Sequence, residues 1–134
     1  MAEIFNNYLT KKTYSNGNSQ VIVPIAGAAL SDNNTIGSRT ANSVCQLHSI
    51  YITKEVSGDQ SSNPLPNAAH ITLSVRDKTT NEMYDIANNV FVLPHSSFYI
   101  EKTITLKAQQ ELVLTFLSST QYTLHTVCSG VDIY

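Results

Sequence analysis

From Ile71 to Tyr134 the chain reads as short alternating apolar runs separated by polar turns, which leaves little room for anything but an antiparallel β domain. In Ile71-Thr72-Leu73-Ser74-Val75-Arg76 the apolar residues fall on every second position. A strand with that pattern buries one face and wets the other. Glu111 to Leu117 and Tyr122 to Val127 are richer in apolar residues, and the Ser118-Ser119-Thr120-Gln121 tetrad between them has the length of a hairpin loop.

The first half continues the pattern less regularly. Residues Ile4 to Thr13 mix Ile4, Phe5, Tyr8 and Leu9 with Asn and Lys, which fits an extended N-terminal arm or edge strand (residues 1–13) preceding a single domain over residues 14–134. Asn16-Gly17 supplies the positive φ angles of a tight hairpin turn into a strand over Gln20 to Val23, ended by Pro24. Ala26 to Asn42 is polar and glycine-containing apart from Ala28-Ala29-Leu30 and Ile36, and reads as a long surface loop; Ile25 to Leu30 offers at most one marginal helical turn. Val44 to Lys54 is a strand with a bulge where the alternation slips. Two prolines and a glycine make Ser57 to Asn67 a loop. Beyond Ile71 to Arg76, the Asp77 to Asn81 turn predicts a hairpin into Met83 to Ala87. Asn88-Asn89 then separates that run from a strand over Val90 to Leu93, and Lys107 to Gln110 joins Phe98–Leu106 to Glu111–Leu117 as another hairpin. About eight strands in one domain is the density of an antiparallel β-sandwich or jelly roll.

Charged residues make up only 13% of the 134 residues, about half the usual ~25%. Ser, Thr, Asn and Gln carry the polarity instead. A net charge of −2 without a Lys or Arg run gives no electrostatic footprint for phosphate, so nucleic acid is not an expected direct partner. A weakly charged, hydroxyl- and amide-rich surface is easily desolvated and suits packing against protein. The N-terminus has no basic and apolar signal regions, and no stretch approaches the ~20 apolar residues of a membrane span. The expectation is a soluble product made in the cytoplasm, with no membrane partner.

Chemistry is weakly signalled. His48, His70, His95 and His125 fall in no zinc-ligand spacing, the glycines are scattered rather than gathered ahead of a helix, and no GxSxG elbow is present. Asp32-Asn33-Asn34 forms an Asx-rich turn of the kind that backbone geometry alone explains, and Asp77, Glu82 and Asp85 fit a solvated hairpin better than a catalytic carboxylate pair. Tyr51, Tyr99 and Tyr122 fall on strands. Cys45 and Cys128 are too few for a metal cluster and read as two buried thiols, with a bridge as the alternative that would need their strands adjacent. No catalytic, metal or cofactor-binding residue is nominated, no cofactor is expected, and the chain is not expected to be an enzyme.

Val90-Phe91-Val92-Leu93-Pro94-His95-Ser96-Ser97-Phe98 reads as an apolar strand, a proline, a small polar turn and a strand. Ile104 to Leu114 follows as strand, turn and strand, with Gln109-Gln110 in the turn. The Ser118-Ser119 turn, the Tyr122 to Val127 strand and the run Val131-Asp132-Ile133 complete the series, and Phe5-Asn6-Asn7-Tyr8-Leu9-Thr10-Lys11-Lys12 opens the chain. In this order of features the chain resembles small β-rich virion proteins of tailed bacteriophages, a group abundant in phages of marine cyanobacteria. The resemblance implies a non-enzymatic virion structural protein. It would be a decoration or cement, collar or tail-associated subunit, assembled in the host cytoplasm and held by contacts with capsid, neck or tail proteins.

With that resemblance, edge strands and termini become the expected contact surfaces, and Ile4, Phe5, Tyr8, Leu9, Ile133 and Tyr134 are the candidate intersubunit residues of a homo-oligomer. The alternative is a fibre-tip binding module that recognises a host glycan or surface protein through the Ala26 to Asn42 and Ser57 to Asn67 loops, since loops at one end of a sandwich are common binding sites.

Overall fold

A computed structural model describes residues 1–55, 68–93 and 96–134. Their regular structure is all β. Ten strands run in the order β1 (Glu3–Tyr14), β2 (Ser19–Val23), β3 (Thr35–Ile36), β4 (Val44–Lys54), β5 (Ala69–Asp77), β6 (Met83–Val92), β7 (Ser97–Ile100), β8 (Ile104–Leu106), β9 (Gln110–Phe116) and β10 (Tyr122–Ile133). One sheet has the order β3-β1-β10-β4-β7, with β8 also paired to β4; the other has the order β2-β9-β5-β6, and every pairing is antiparallel. The two form a β-sandwich, here called the large and the small sheet.

The alternation seen in the sequence sets which residues meet between the sheets. Ile71, Leu73, Leu112, Leu114 and Phe116 of the small sheet face Tyr8, Tyr14, Leu47, Ile50, Ile52, Leu124 and Cys128 of the large one, all buried. Tyr14 stacks on Phe116 with ring centroids 5.6 Å apart, and Phe116 meets Tyr122 edge to face. Cys45 and Cys128 are both buried and unbridged.

Strand positions agree with the alternation, but strand partners do not follow from the turns. Of the four expected hairpins, only Asp77 to Asn81 joins neighbouring strands, β5 and β6, with the Asp77 carboxylate accepting the Thr79 amide at 2.8 Å. The Asn16-Gly17 turn does have Gly17 at φ 84°, yet it carries the chain from β1 in the large sheet to β2 in the small one. Lys107–Gln110 and Ser118–Gln121 cross between sheets in the same way. A four-residue turn spans the ~10 Å gap between sheets as readily as it closes a hairpin, and covering both apolar faces favours the crossing.

Two other expectations shift. Met83 to Val92 is one strand with irregular register against β5, not two, and Asn89 takes a left-handed φ of 50° where the break was expected. Phe98 to Leu106 is instead split into β7 and β8, both laid on β4.

β10 lies at the centre of the large sheet, between β1 and β4. Glu3 to Tyr14 pair with it along its whole length, and Ala2 and Tyr134 exchange backbone hydrogen bonds of 2.8 and 3.0 Å just beyond the strands. Between Ser129 and Gly130 the register slips, leaving His48 as the extra residue of a bulge in β4. Gly130 sits where that backbone closes in: a Cβ there would lie 2.7 Å from the Gln46 carbonyl oxygen and 3.2 Å from Leu47 Cα. Neither contact is with a movable side chain. Gly130→Ala is therefore expected to cost about 2–3 kcal/mol, read as a lower urea midpoint with unchanged slope; a loss under about 0.5 kcal/mol would show that the bulge relaxes freely.

Candidate interaction face

The segment between β2 and β4 is fastened to the body of the protein. Arg39 is 3% exposed, and its guanidinium donates to the carbonyls of Gln110 (2.8 Å), Pro24 (3.0 Å), Ser43 (3.0 Å), Lys107 (3.2 Å) and Leu106 (3.3 Å). The next residue is held from β10, because the Asp132 carboxylate accepts the Thr40 amide at 2.8 Å. Asp132 is fully buried and also accepts from Asn6 Nδ2 at 2.6 Å and from the Tyr8 hydroxyl at 3.3 Å. Burial pushes the Tyr8 phenol up, and burial with the nearby Asp132 charge pushes the Cys45 thiol up to about 12. Residues 26–42 are thus not the plain surface loop that their composition suggests. They contain β3, a bridge between Ala29 and Ser38, and a buried cation.

This anchoring places β3 against β1 and completes the outer face of the large sheet. Direct cross-strand partners run Ile36–Leu9–Val127–Tyr51–Tyr99, one residue from each of five strands. Their neighbours Tyr8, Thr10, Thr126, Cys128, Ile50 and Ile52 point into the core, so all five belong to the outer side. Ile36 is 65% exposed, Val127 41% and Tyr99 58%. The tyrosine rings stack at 5.9 Å, and the Tyr51 hydroxyl donates to Glu101 at 2.6 Å, which raises its pKa. At the aliphatic end a shallow hollow opens between Leu9, Ile36, Val127 and His125.

Polar groups flank this row. On one side Glu55 accepts from His125 at 2.9 Å and pairs with Lys11 at 3.7 Å, contacts that hold its carboxyl below the ordinary range. On the other, Ser129 donates to Asn7 at 2.7 Å; beyond them Phe5, 80% exposed, lies across from Val131.

The six residues nominated from the sequence separate by strand parity. Phe5 and Leu9 lie on this outer face, while Ile4, Ile133 and Tyr134 reach the surface near the paired chain ends and Tyr8 is inside, bonded to Asp132. Ile36, Val127, Tyr51 and Tyr99 were not nominated. Alternation marks Val127, Tyr51 and Tyr99 as strand-borne and leaves Ile36 in a loop, and only the register across five strands aligns them.

Other surfaces are less continuous. The β6 edge exposes Met83, Tyr84, Ile86 and Phe91, but its irregular register and left-handed Asn89 bend it, which blunts an edge against pairing. Asp85 accepts from Ser74 and Asn88, and Glu82 from Tyr84, as solvated hairpin groups do. Among the described residues no group of three or more His, Cys, Asp or Glu is placed to hold a metal, and no helix is long and apolar enough to cross a membrane. The Ser57 to Asn67 loop and His95 lie outside the described residues. Neither protein-family models nor curated proteins give a match to this chain.

Proposed function

We propose that this chain is a non-enzymatic structural subunit of a tailed-phage virion, a decoration or cement, collar or tail-associated protein that works through contacts with capsid, neck or tail proteins and with copies of itself. The observation that carries the reading is the Ile36–Leu9–Val127–Tyr51–Tyr99 row, an apolar band crossing a whole sheet face with little charge to desolvate. Bands of this kind mark protein contacts. The order of strands and turns that resembles small virion proteins supplies the setting.

Mass spectrometry of purified virions tests it, with copy number set against the major capsid protein. Near-stoichiometric abundance fits a shell or sheath subunit, and a few copies fit a collar or tail position. Absence from the particle removes the proposal.

A fibre-tip module recognising a host glycan is the second reading, favoured by the exposed Tyr99 stacked on the half-buried Tyr51 beside Glu101, since aromatic faces stack on sugars. Three aliphatic residues share the row with those tyrosines, and aliphatic surface serves protein packing better. Specific hits on a glycan array, lost in Tyr99→Ala, would reverse that preference.

A further inference from the structure

We infer that the outer face of the large sheet is covered by the same face of a second copy, related by a twofold axis that runs along β10 at Val127. The inference rests on the assembly reading above and names the partner of that surface.

Three observations converge on a copy of this chain. First, the row is centred: β10 supplies Val127, and its ends, Ile36 and Tyr99, lie two strands away on either side, about 10 Å each at ordinary strand spacing. Secondly, the two ends complement each other. One carries the hollow between Leu9 and Ile36, the other the raised Tyr51–Tyr99 stack. Rotation about β10 sets each tyrosine pair over the other copy's hollow, the reciprocal contact that a twofold interface requires. Thirdly, the area is adequate. Three strands of eleven or twelve residues with shorter strands beside them present a face on the order of 700 Å², close to the ~800 Å² per partner of a stable interface. The Asn7–Ser129–Ser49 positions on one side of the row bring no charge to the contact; on the other side Lys11 falls over the partner's Thr53, and His125, bonded to Glu55, lies on the axis against its own counterpart. Sheets stacked this way keep their strands within about 30° of one another.

Sedimentation equilibrium of the purified chain reads the result. The expected species is a dimer, and Val127→Glu, which sets two carboxylates against each other at the axis, is expected to weaken it by about 100-fold or more. Val127 is on the surface, so its thermal unfolding temperature, measured at a dilution where both proteins are monomeric, should stay near that of the parent. A second variant covers a failure to fold: Val127→Cys should join to its own copy through a short bismaleimide, because Cys45 and Cys128 are buried, whereas Thr79→Cys on the β5–β6 hairpin should not. A parent that stays monomeric at high micromolar concentration, or a Val127→Glu protein that stays dimeric, overturns the inference. A monomer that is nonetheless present in virions would overturn the dimer alone; a dimer absent from virions would overturn the virion role alone.

Discussion

Arg39→Ala should lower the unfolding free energy by about 4 kcal/mol, a large share of the ~5–15 kcal/mol available to a domain of this size. The guanidinium serves the carbonyls of Pro24, Ser43, Leu106, Lys107 and Gln110 from a site with almost no access to water. Hydrogen bonds to a charged group contribute more than neutral ones, and each acceptor left dry carries its own desolvation cost. Alanine takes a donor from all five carbonyls, of which Lys107 keeps the Gln110 amide at 3.1 Å, and leaves a cavity. Lysine keeps the charge but has three donors on one atom and lacks the planar fork, so Arg39→Lys should recover only part of the loss. Urea unfolding of both variants checks the order. A cost under about 1 kcal/mol for Arg39→Ala would mean that water enters and replaces the guanidinium. Proteolysis offers a second readout, since residues 26–42 should become the first site cleaved once they are released from Gln110 and Leu106.

Alkali should unfold the protein over a window that opens near pH 9. Burial is the main cause that pushes the Cys45 and Cys128 thiols up to about 12 from the ordinary 9.0, and it raises the Tyr8 and Tyr14 phenols above their ordinary 10.0. Below pH 9 these groups hold their protons whether the chain is folded or not, so stability is flat. Above it the unfolded chain releases thiol protons that the folded chain keeps, and unfolding gains about 1.4 kcal/mol per pH unit for each such group. Two thiols give a fall of about 3 kcal/mol per unit, which steepens when the phenols join near pH 10. Stability should therefore vanish before the folded thiols themselves titrate. Urea midpoints across this range, with tyrosinate absorbance as a second probe, should show that the two buried phenols, Tyr8 and Tyr14, ionise only as the chain unfolds. Cys128→Ala should make the slope shallower by about 1.4 kcal/mol per unit. A midpoint that does not move between pH 8 and 11 would mean that the buried groups ionise in place.

Much of this fold can be read from the chain, and the part that cannot has one cause. Ile71, Leu73 and Val75 announce β5, and Val44 to Lys54 announces β4 with its bulge, because alternation is a local property of half-buried strands. Turn chemistry is local too. Asn16-Gly17 and Ser118 to Gln121 specify a reversal of direction without specifying whether the reversal stays in its sheet, and that choice depends on apolar faces elsewhere in the chain. The interaction face has the same character. Parity alone separates Phe5 and Leu9 from Tyr8 on β1, but aligning Ile36 with Tyr99 takes four successive strand registers. Arg39 gave no signal, standing in a short polar run whose residue types fit any surface turn. Only the carbonyls that converge on it reveal its task.

The reciprocal bonds between Ala2 and Tyr134 bear on how fast the molecule can form. The large sheet is organised around a strand whose partner on one side is distant in sequence, with Asn6 and Asp132, 126 residues apart, in hydrogen-bond contact. Such a topology has high contact order, and its central ladder must wait for a chain-length loop to close. A short linker from Tyr134 to Ala2, with new ends opened between Ser119 and Thr120, in a turn that joins strands of different sheets, would make β10 and β1 a hairpin and leave the β5–β6 hairpin intact. The strand pairings would be unchanged and the longest loop closure removed, so the rearranged chain should reach the same sandwich sooner.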